Sequence, residues 1–335
     1  MTVDLRSDTV TRPCSAMLQA MISAKVGDDV LRDDPTVHEL ERESAEICGK
    51  EAALFTPSGT MANQLAIRGW TQPGDEILME AGAHPYNYES AGHAAISGVQ
   101  IRPIPGTGGL LDTADVAKCI RPVDDHFAPA RLLCVENTSN RGGGTVYPLE
   151  RLEELTSLAH DHGLRTHLDG ARVFNAVVAG EQPLHRIAST FDSVAFCLSK
   201  GLGAPVGSIL CGPSDFIATA RRMRKMLGGG MRQAGFLAAA GLYALRNNIE
   251  RLAEDHRRAR EIYQGLLEIE IAAIEPQTNM VYATVSDAHS LVDYLNEQDI
   301  QILAVNANTV RLVTHLDVSD QGIEQLLKAL QAWKA

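Results

Sequence analysis

The chain has 335 residues, 45% hydrophobic and 21% charged, a length and balance that fit one large globular domain with a smaller companion. Its formal net charge of −12 argues against nucleic acid or an anionic membrane as the main partner. None of the six cysteines forms a CxxC pair, the charged start MTVDLRSDTV lacks the apolar core of a signal peptide, and no apolar run reaches membrane-spanning length. A reduced, cytoplasmic protein is expected.

In chain order, AALFT (52–56), EILME (76–80), RLLCVEN (131–137), LRTHLD (164–169), SVAFC (193–197) and GSILC (207–211) are short apolar runs and read as buried strands. Amphipathic stretches lie between them. In 149–163, Leu149, Leu152, Leu155 and Leu158 recur at helical spacing and Gly163 stands as a C-cap. Such alternation predicts a mostly parallel sheet with helices on both faces. Residues 214–267 read as strongly helical. IAAIEP, TNMVYATV, QILAV and TVRLV then read as strands, with helices between and after them. The expected organisation is a large α/β domain over 1–250 and a small α+β domain over 251–335.

Four segments carry candidate chemistry. In LSKGLGAPVGS (198–208), Lys200 follows a strand, where α/β proteins place their sites; its glycines would let backbone approach a bulky ligand. A surface lysine in a turn is the plainer reading. Asp169, in LDGAR, also ends a strand and could pair with a protonated ring nitrogen, or simply cap a turn. PSGTMANQ (57–64) follows a strand and opens a helix, so Ser58, Gly59 and Thr60 could bind phosphate, or Ser58 could be an ordinary N-cap. His84 could stack on a ring or act as a base. His38 is ambiguous, and the other histidines, His126 and His167 among them, have no comparable setting. There is no HExxH and no metal triad. Arg232 precedes a helix after three glycines, and Arg311 interrupts an apolar strand, where a carboxylate ligand or an internal ion pair would account for it.

Together these segments resemble the threonine aldolase family of fold-type-I enzymes that use pyridoxal 5'-phosphate (PLP). The motifs are DLRSDTVT (4–11), DDPTV (33–37), PSGTM (57–61), LDGAR (168–172), SKGLGAPVGS (199–208), GGGMRQAG (228–235) and RLVTH (311–315). The resemblance implies an aspartate-aminotransferase-type large domain and a carbon–carbon lyase that cleaves L-threonine, L-allo-threonine and related β-hydroxy-α-amino acids to glycine and an aldehyde. It makes Lys200 the Schiff-base lysine, Asp169 the partner of the pyridine nitrogen, Ser58, Gly59 and Thr60 the phosphate cradle, and His84 the stacked histidine and candidate base. It makes Ser7, Arg172 and Arg311 the holders of the substrate carboxylate, with Arg172 also near the cofactor. Lys225 and Arg232 resemble groups that complete a neighbouring subunit's site, which implies a homotetramer of dimers. A role in threonine catabolism and glycine formation follows.

Two departures from the family pattern are visible. Ser139 stands where the family has a histidine, and Leu31 where it has a tyrosine, at positions expected beside the aldehyde half of the substrate. Phenylserine as the preferred substrate, β-elimination or racemisation on the same scaffold, and a catalytically silent PLP-fold regulator are the competing readings.

Overall fold

The first element of the computed structural model, which describes residues 2–180 and 182–334, is the two-residue strand β1 (Val3–Asp4). Helices α1 (Ser15–Ile22) and α2 (Pro35–Cys48) follow. Helix α2 is fixed at both ends by local chemistry. The Asp34 carboxylate accepts the Thr36 and Val37 N–H groups, Pro35 occupies the first turn, and Gly49 closes the helix at φ 63°.

Strand–helix units come next: β2 (Ala52–Thr56), α3 (Gly59–Trp70), β3 (Glu76–Glu80), α4 (His84–Asn87), α5 (Gly92–Ser97), β4 (Gln100–Ile104), α6 (Thr113–Cys119), β5 (Ala130–Glu136), α7 (Leu149–Asp161), β6 (Arg165–Asp169), α8 (Val173–Gly180), α9 (Leu184–Ala188), β7 (Ser193–Cys197) and β8 (Ser208–Gly212). Among the described residues the sheet runs in the order β2-β8-β7-β6-β5-β3-β4. Only β8 runs against its neighbours. Successive residues feed opposite faces: Phe55, Leu78 and Leu133 join one core, while Leu54, Ile77 and Leu132 join the layers behind it. A strand buried on both faces has no polar alternation, which is why these strands read as continuous apolar runs. All six expected strands are present, displaced by one residue at most at either end. Strand β4 escaped the sequence reading because Arg102 and Pro103 interrupt it; it pairs only with β3, and an edge strand tolerates proline.

The helical reading of 214–267 resolves into α10 (Ser214–Met226), α11 (Gly235–Asn247) and α12 (Leu252–Glu268), broken first at the 227–234 turn, where Gly228 adopts φ 80°. Beyond them lie β9 (Ala272–Ala273), β10 (Met280–Thr284), α13 (Ala288–Glu297), β11 (Ile300–Gln301), β12 (Leu303–Asn306), β13 (Thr309–Val313) and α14 (Asp320–Lys334). The antiparallel sheet β12-β13-β10-β9 packs on a second core that includes Ile262, Leu266, Val281, Leu312 and Leu326. Val3 and Leu5 belong to that core as well, because β1 pairs in parallel with β11. No helix among the described residues is long and apolar enough to cross a membrane.

The parallel strands share a direction, so the loops after β2, β3, β5, β6 and β7 meet at one sheet edge. Open α/β sheets bind ligands there.

Candidate active site

Two joined compartments open at that edge. Ser58, Gly59, Thr60, His84, Asp169, Arg172 and Lys200 line a cleft of about 260 Å³. Ser7 and Arg311 line an adjoining space of about 360 Å³, which shares His84, Asn140, Arg172 and Lys200 with the first. The structure thus brings nine of the sequence-predicted residues together. It leaves two outside: Lys225 borders a separate basic hollow of about 150 Å³, and exposed Arg232 pairs with Asp28 at 2.9 Å.

Lys200 sits in a loop that folds back on itself. Leu198 N–H donates to the Gly207 carbonyl, Gly203 N–H to the Lys200 carbonyl, and Ala204 N–H to the Leu198 carbonyl. The glycines here serve the turn rather than a ligand. Gly203 and Gly207 adopt φ 80° and 112°, and a Cβ on Gly207 would lie 2.4 Å from the Phe55 ring. Gly59 is the glycine at the cleft wall, where a Cβ would meet Cys197 Sγ at 2.8 Å. Ser58 caps α3, its hydroxyl accepting from Met61 N–H at 3.1 Å. The cap is formed, and it is compatible with the phosphate reading, because Gly59 and Thr60 at the start of α3 also line the cleft.

A buried polar network stands behind His84 and Asp169. The Asn63 amide donates to Asp169 Oδ2 and to Glu89 Oε1, both at 2.8 Å. Glu89 Oε1 also shares a 2.9 Å hydrogen bond with His84 Nδ1, and Gln64 donates to Glu89 Oε2 at 2.7 Å. Burial works to lower the His84 pKa, but the Glu89 hydrogen bond and the nearby Asp169 charge outweigh it and raise it above the ordinary histidine value. His84, Glu89 and Asp169 come close enough to suggest a cation site, yet the amide of Asn63 and the imidazole already link their oxygens. His167 extends the network, bonding Asn63 Oδ1 at 3.2 Å and Ser193 Oγ at 2.9 Å. Burial depresses its pKa to about 4, so it is neutral. His167 lies two residues before Asp169 in a buried strand and so shares its face, which is the one sequence signal that points to it.

Glu136, missed from sequence alone, ends β5 beside Asp169. Its two oxygens accept His84 N–H at 2.7 Å and Asn140 N–H at 2.8 Å, tying the histidine loop to the sheet. Burial and the Asp169 charge push its pKa up to about 7.

The arginines differ from one another. Arg172 is buried and clamped by Asp8, with Nε and Nη2 donating to the two carboxylate oxygens at 2.7 and 2.6 Å. Burial alone would raise the Asp8 pKa, but Arg172 pulls it down to about 2. Arg311 has no ion-pair partner among the described residues, so the internal ion pair considered for it is not formed. It donates to Asn140 Oδ1 and the Arg6 carbonyl, each at 3.0 Å, while its buried Nε has no partner.

The two departures do not line this chain's own compartments. Ser139 is buried against Gly109 and accepts from Gly142 N–H at 3.2 Å; it lines neither compartment. Leu31 is exposed, beside Arg32, whose φ of 62° is unusual for a residue with a Cβ. Neither residue lines this chain's own cleft.

These residues fit a phosphorylated pyridine aldehyde. The start of α3 could take a phosphate, a carboxylate held by an amide could pair with a ring nitrogen, and a lysine could meet the carbonyl. The unpartnered Arg311 Nε is a donor that a carboxylate could satisfy.

A family profile described as "Beta-eliminating lyase" matches residues 4–288. Over 336 residues the chain is 47% identical to the low specificity L-threonine aldolase of Escherichia coli K12, covering 99% of this chain and 98% of that one. It is 41% identical to low-specificity L-threonine aldolase 1 of Arabidopsis thaliana, covering 98% and 95%. Among solved structures it resembles a threonine aldolase of Leishmania major, with TM-score 0.88 at 21% identity over 99% of this chain and 100% of that one. A putative L-allo-threonine aldolase of Listeria monocytogenes gives 0.84 at 20% identity over 98% and 96%. The two structural likenesses speak for the fold.

Proposed function

Since the chain belongs to the β-eliminating lyase family and, within it, to the low-specificity L-threonine aldolases, we propose that it cleaves L-threonine and L-allo-threonine to glycine and acetaldehyde. It is a carbon–carbon lyase, and PLP is its cofactor. The observation that carries the reading is the convergence of Lys200, Asp169 and the start of α3 on one cleft, with Arg311 holding an unpartnered donor next to it.

Lys200 would hold the cofactor's carbonyl carbon, Asp169 its ring nitrogen, and the Ser58–Gly59–Thr60 cradle its phosphate. When bound, the cofactor supplies an electron sink for the pair released at the substrate's Cα. The chain supplies orientation and proton handling. Arg311 and Arg172 fix the α-carboxylate, with Ser7 beside them, and so fix which bond at Cα stands across the ring. His84 takes the β-hydroxyl proton. Glu89 occupies its Nδ1, which leaves Nε2 for the cleft.

Lys225 and Arg232 serve a neighbouring copy in this reading. Both lie outside their own cleft and near exposed apolar residues such as Leu31 and Met226, which supports a homotetramer of dimers. Six free cysteines suit a cytoplasmic setting.

The test is direct. Protein loaded with PLP should be yellow, borohydride should fix the cofactor on Lys200, and L-threonine should yield equimolar glycine and acetaldehyde. A colourless protein indifferent to PLP would overturn the reading. Full turnover by His84→Asn would remove His84 as the base and leave the rest standing.

A further inference from the structure

The outer compartment holds more positive charge than a simple β-hydroxy-amino acid uses. Its lining includes Arg141, Arg172, Lys200 and Arg311, and no carboxylate. Arg172 is neutralised by Asp8, and Arg311 is taken by the substrate's α-carboxylate in the proposed reaction. Arg141 remains. Among the described residues it has no ion-pair partner: its Nε donates to the Tyr88 hydroxyl, and its guanidinium lies 5.2 Å from the centre of the Tyr88 ring.

Its position is built. A Cβ on Gly82 would come within 3.1 Å of Arg141 Cβ, so the absence of a side chain there makes room for the arginine. Tyr88 stands between Arg141 and the candidate base, its ring centre 5.6 Å from that of His84. Asn140, the preceding residue, braces Arg311 through its side-chain oxygen. One dipeptide therefore steadies the cation for the α-carboxylate and supplies a second cation at the end of the compartment bordered by His84 and Tyr88. A cation held by a phenol rather than a carboxylate keeps its charge available to an anion.

Resting on the proposed reaction, we infer that this site also takes β-hydroxy-amino acids whose β-substituent is itself anionic, with β-hydroxyaspartate as the simplest case. Arg311 receives the α-carboxylate and Arg141 the β-carboxylate. The Cα–Cβ bond breaks and leaves its electron pair on Cα, the hydroxyl proton passes to the base, and Cβ becomes a carbonyl carbon. Protonation of Cα gives glycine, and the other fragment is the aldehyde acid glyoxylate. No oxidant or reductant is consumed.

The experiment compares kcat/KM for β-hydroxyaspartate and L-threonine in the PLP-loaded wild type, Arg141→Gln and Arg141→Lys, with retention of the cofactor's visible band as the check on folding. The wild type should cleave β-hydroxyaspartate, and its KM should rise with salt more steeply than that for threonine. Arg141→Gln should lower the β-hydroxyaspartate-to-threonine ratio by about ten- to a hundredfold, the ordinary worth of one hydrogen bond to a charged group, and Arg141→Lys should lower it less. A ratio unmoved by Arg141→Gln, or a wild type that cleaves threonine but not β-hydroxyaspartate, overturns the inference and leaves the aldolase reading intact. Cleavage of neither substrate overturns the aldolase reading and the inference with it.

Discussion

Two walls of one cleft follow opposite electrostatic plans. On the wall built from α3, α4 and β6, the charged and polar groups bond to one another: Glu89 is shared among His84, Asn63 and Gln64, and Asp169 is held by Asn63 and the Ala171 N–H. On the wall built from residues 7–8, the 140–141 dipeptide and β13, only Arg172 has a carboxylate of its own. Arg311 is held by neutral oxygens, and Arg141 by a phenol. A closed network suits a resident that stays, since its geometry is set before the guest arrives. Open donors suit a visitor that leaves after each turnover, since its charge is the missing partner.

Removing a counterion should hurt most. Asp8→Ala leaves the Arg172 guanidinium buried and unpaired, which costs about 3–5 kcal/mol of stability in urea unfolding at neutral pH. The Asp8 pKa lies near 2 in the fold against about 3.9 unfolded, so its contribution is fully present above pH ~4 and is lost as pH falls toward 2. The variant should lack that acid-side loss.

Arg311→Met should behave differently, because no carboxylate is stranded by it. Stability changes little, and KM for L-threonine rises by about ten- to a hundredfold. A stability loss as large as that of Asp8→Ala would break the contrast between paired and unpaired arginines.

On the closed wall, Glu89→Gln replaces a shared acceptor with an amide that presents N–H to N–H. About 1–3 kcal/mol of stability is lost, and His84, raised in the parent, titrates at lower pH when its ring protons are followed by NMR. An unchanged His84 titration would show that this wall does not set the histidine's proton.

The smallest effect concerns Glu136, whose folded pKa near 7 exceeds an unfolded value of about 4.3. A raised carboxylate pKa favours the fold below ~4.3, and the advantage fades as pH rises toward 7. Glu136→Gln should flatten the decline in melting temperature between those limits.

Much of this was legible in the sequence. The central strands were, because double-sided burial demands unbroken apolar runs. Lys200, Asp169 and Ser58 were, because they end strands or open a helix. The network was not. Glu89 lies in an irregular stretch, and its meaning depends on α3 bringing Asn63 and Gln64 against α4. Asp8 looked like one polar residue among several until Arg172, 164 positions later, supplied its partner. Ser139 and Leu31 do not line this chain's own cleft, and position along the chain alone did not say so.

Strand β1 has a consequence for how the protein is made. Residues 3–8 emerge from the ribosome early, but their partners on β11 and β13 come some three hundred residues later. Until those are synthesised, the turn carrying Ser7 and Asp8 lacks its anchorage, and Arg172 waits without a counterion. The carboxylate side of the cleft is thus completed only when the last fifth of the chain is in place, after every strand of the central sheet has been made.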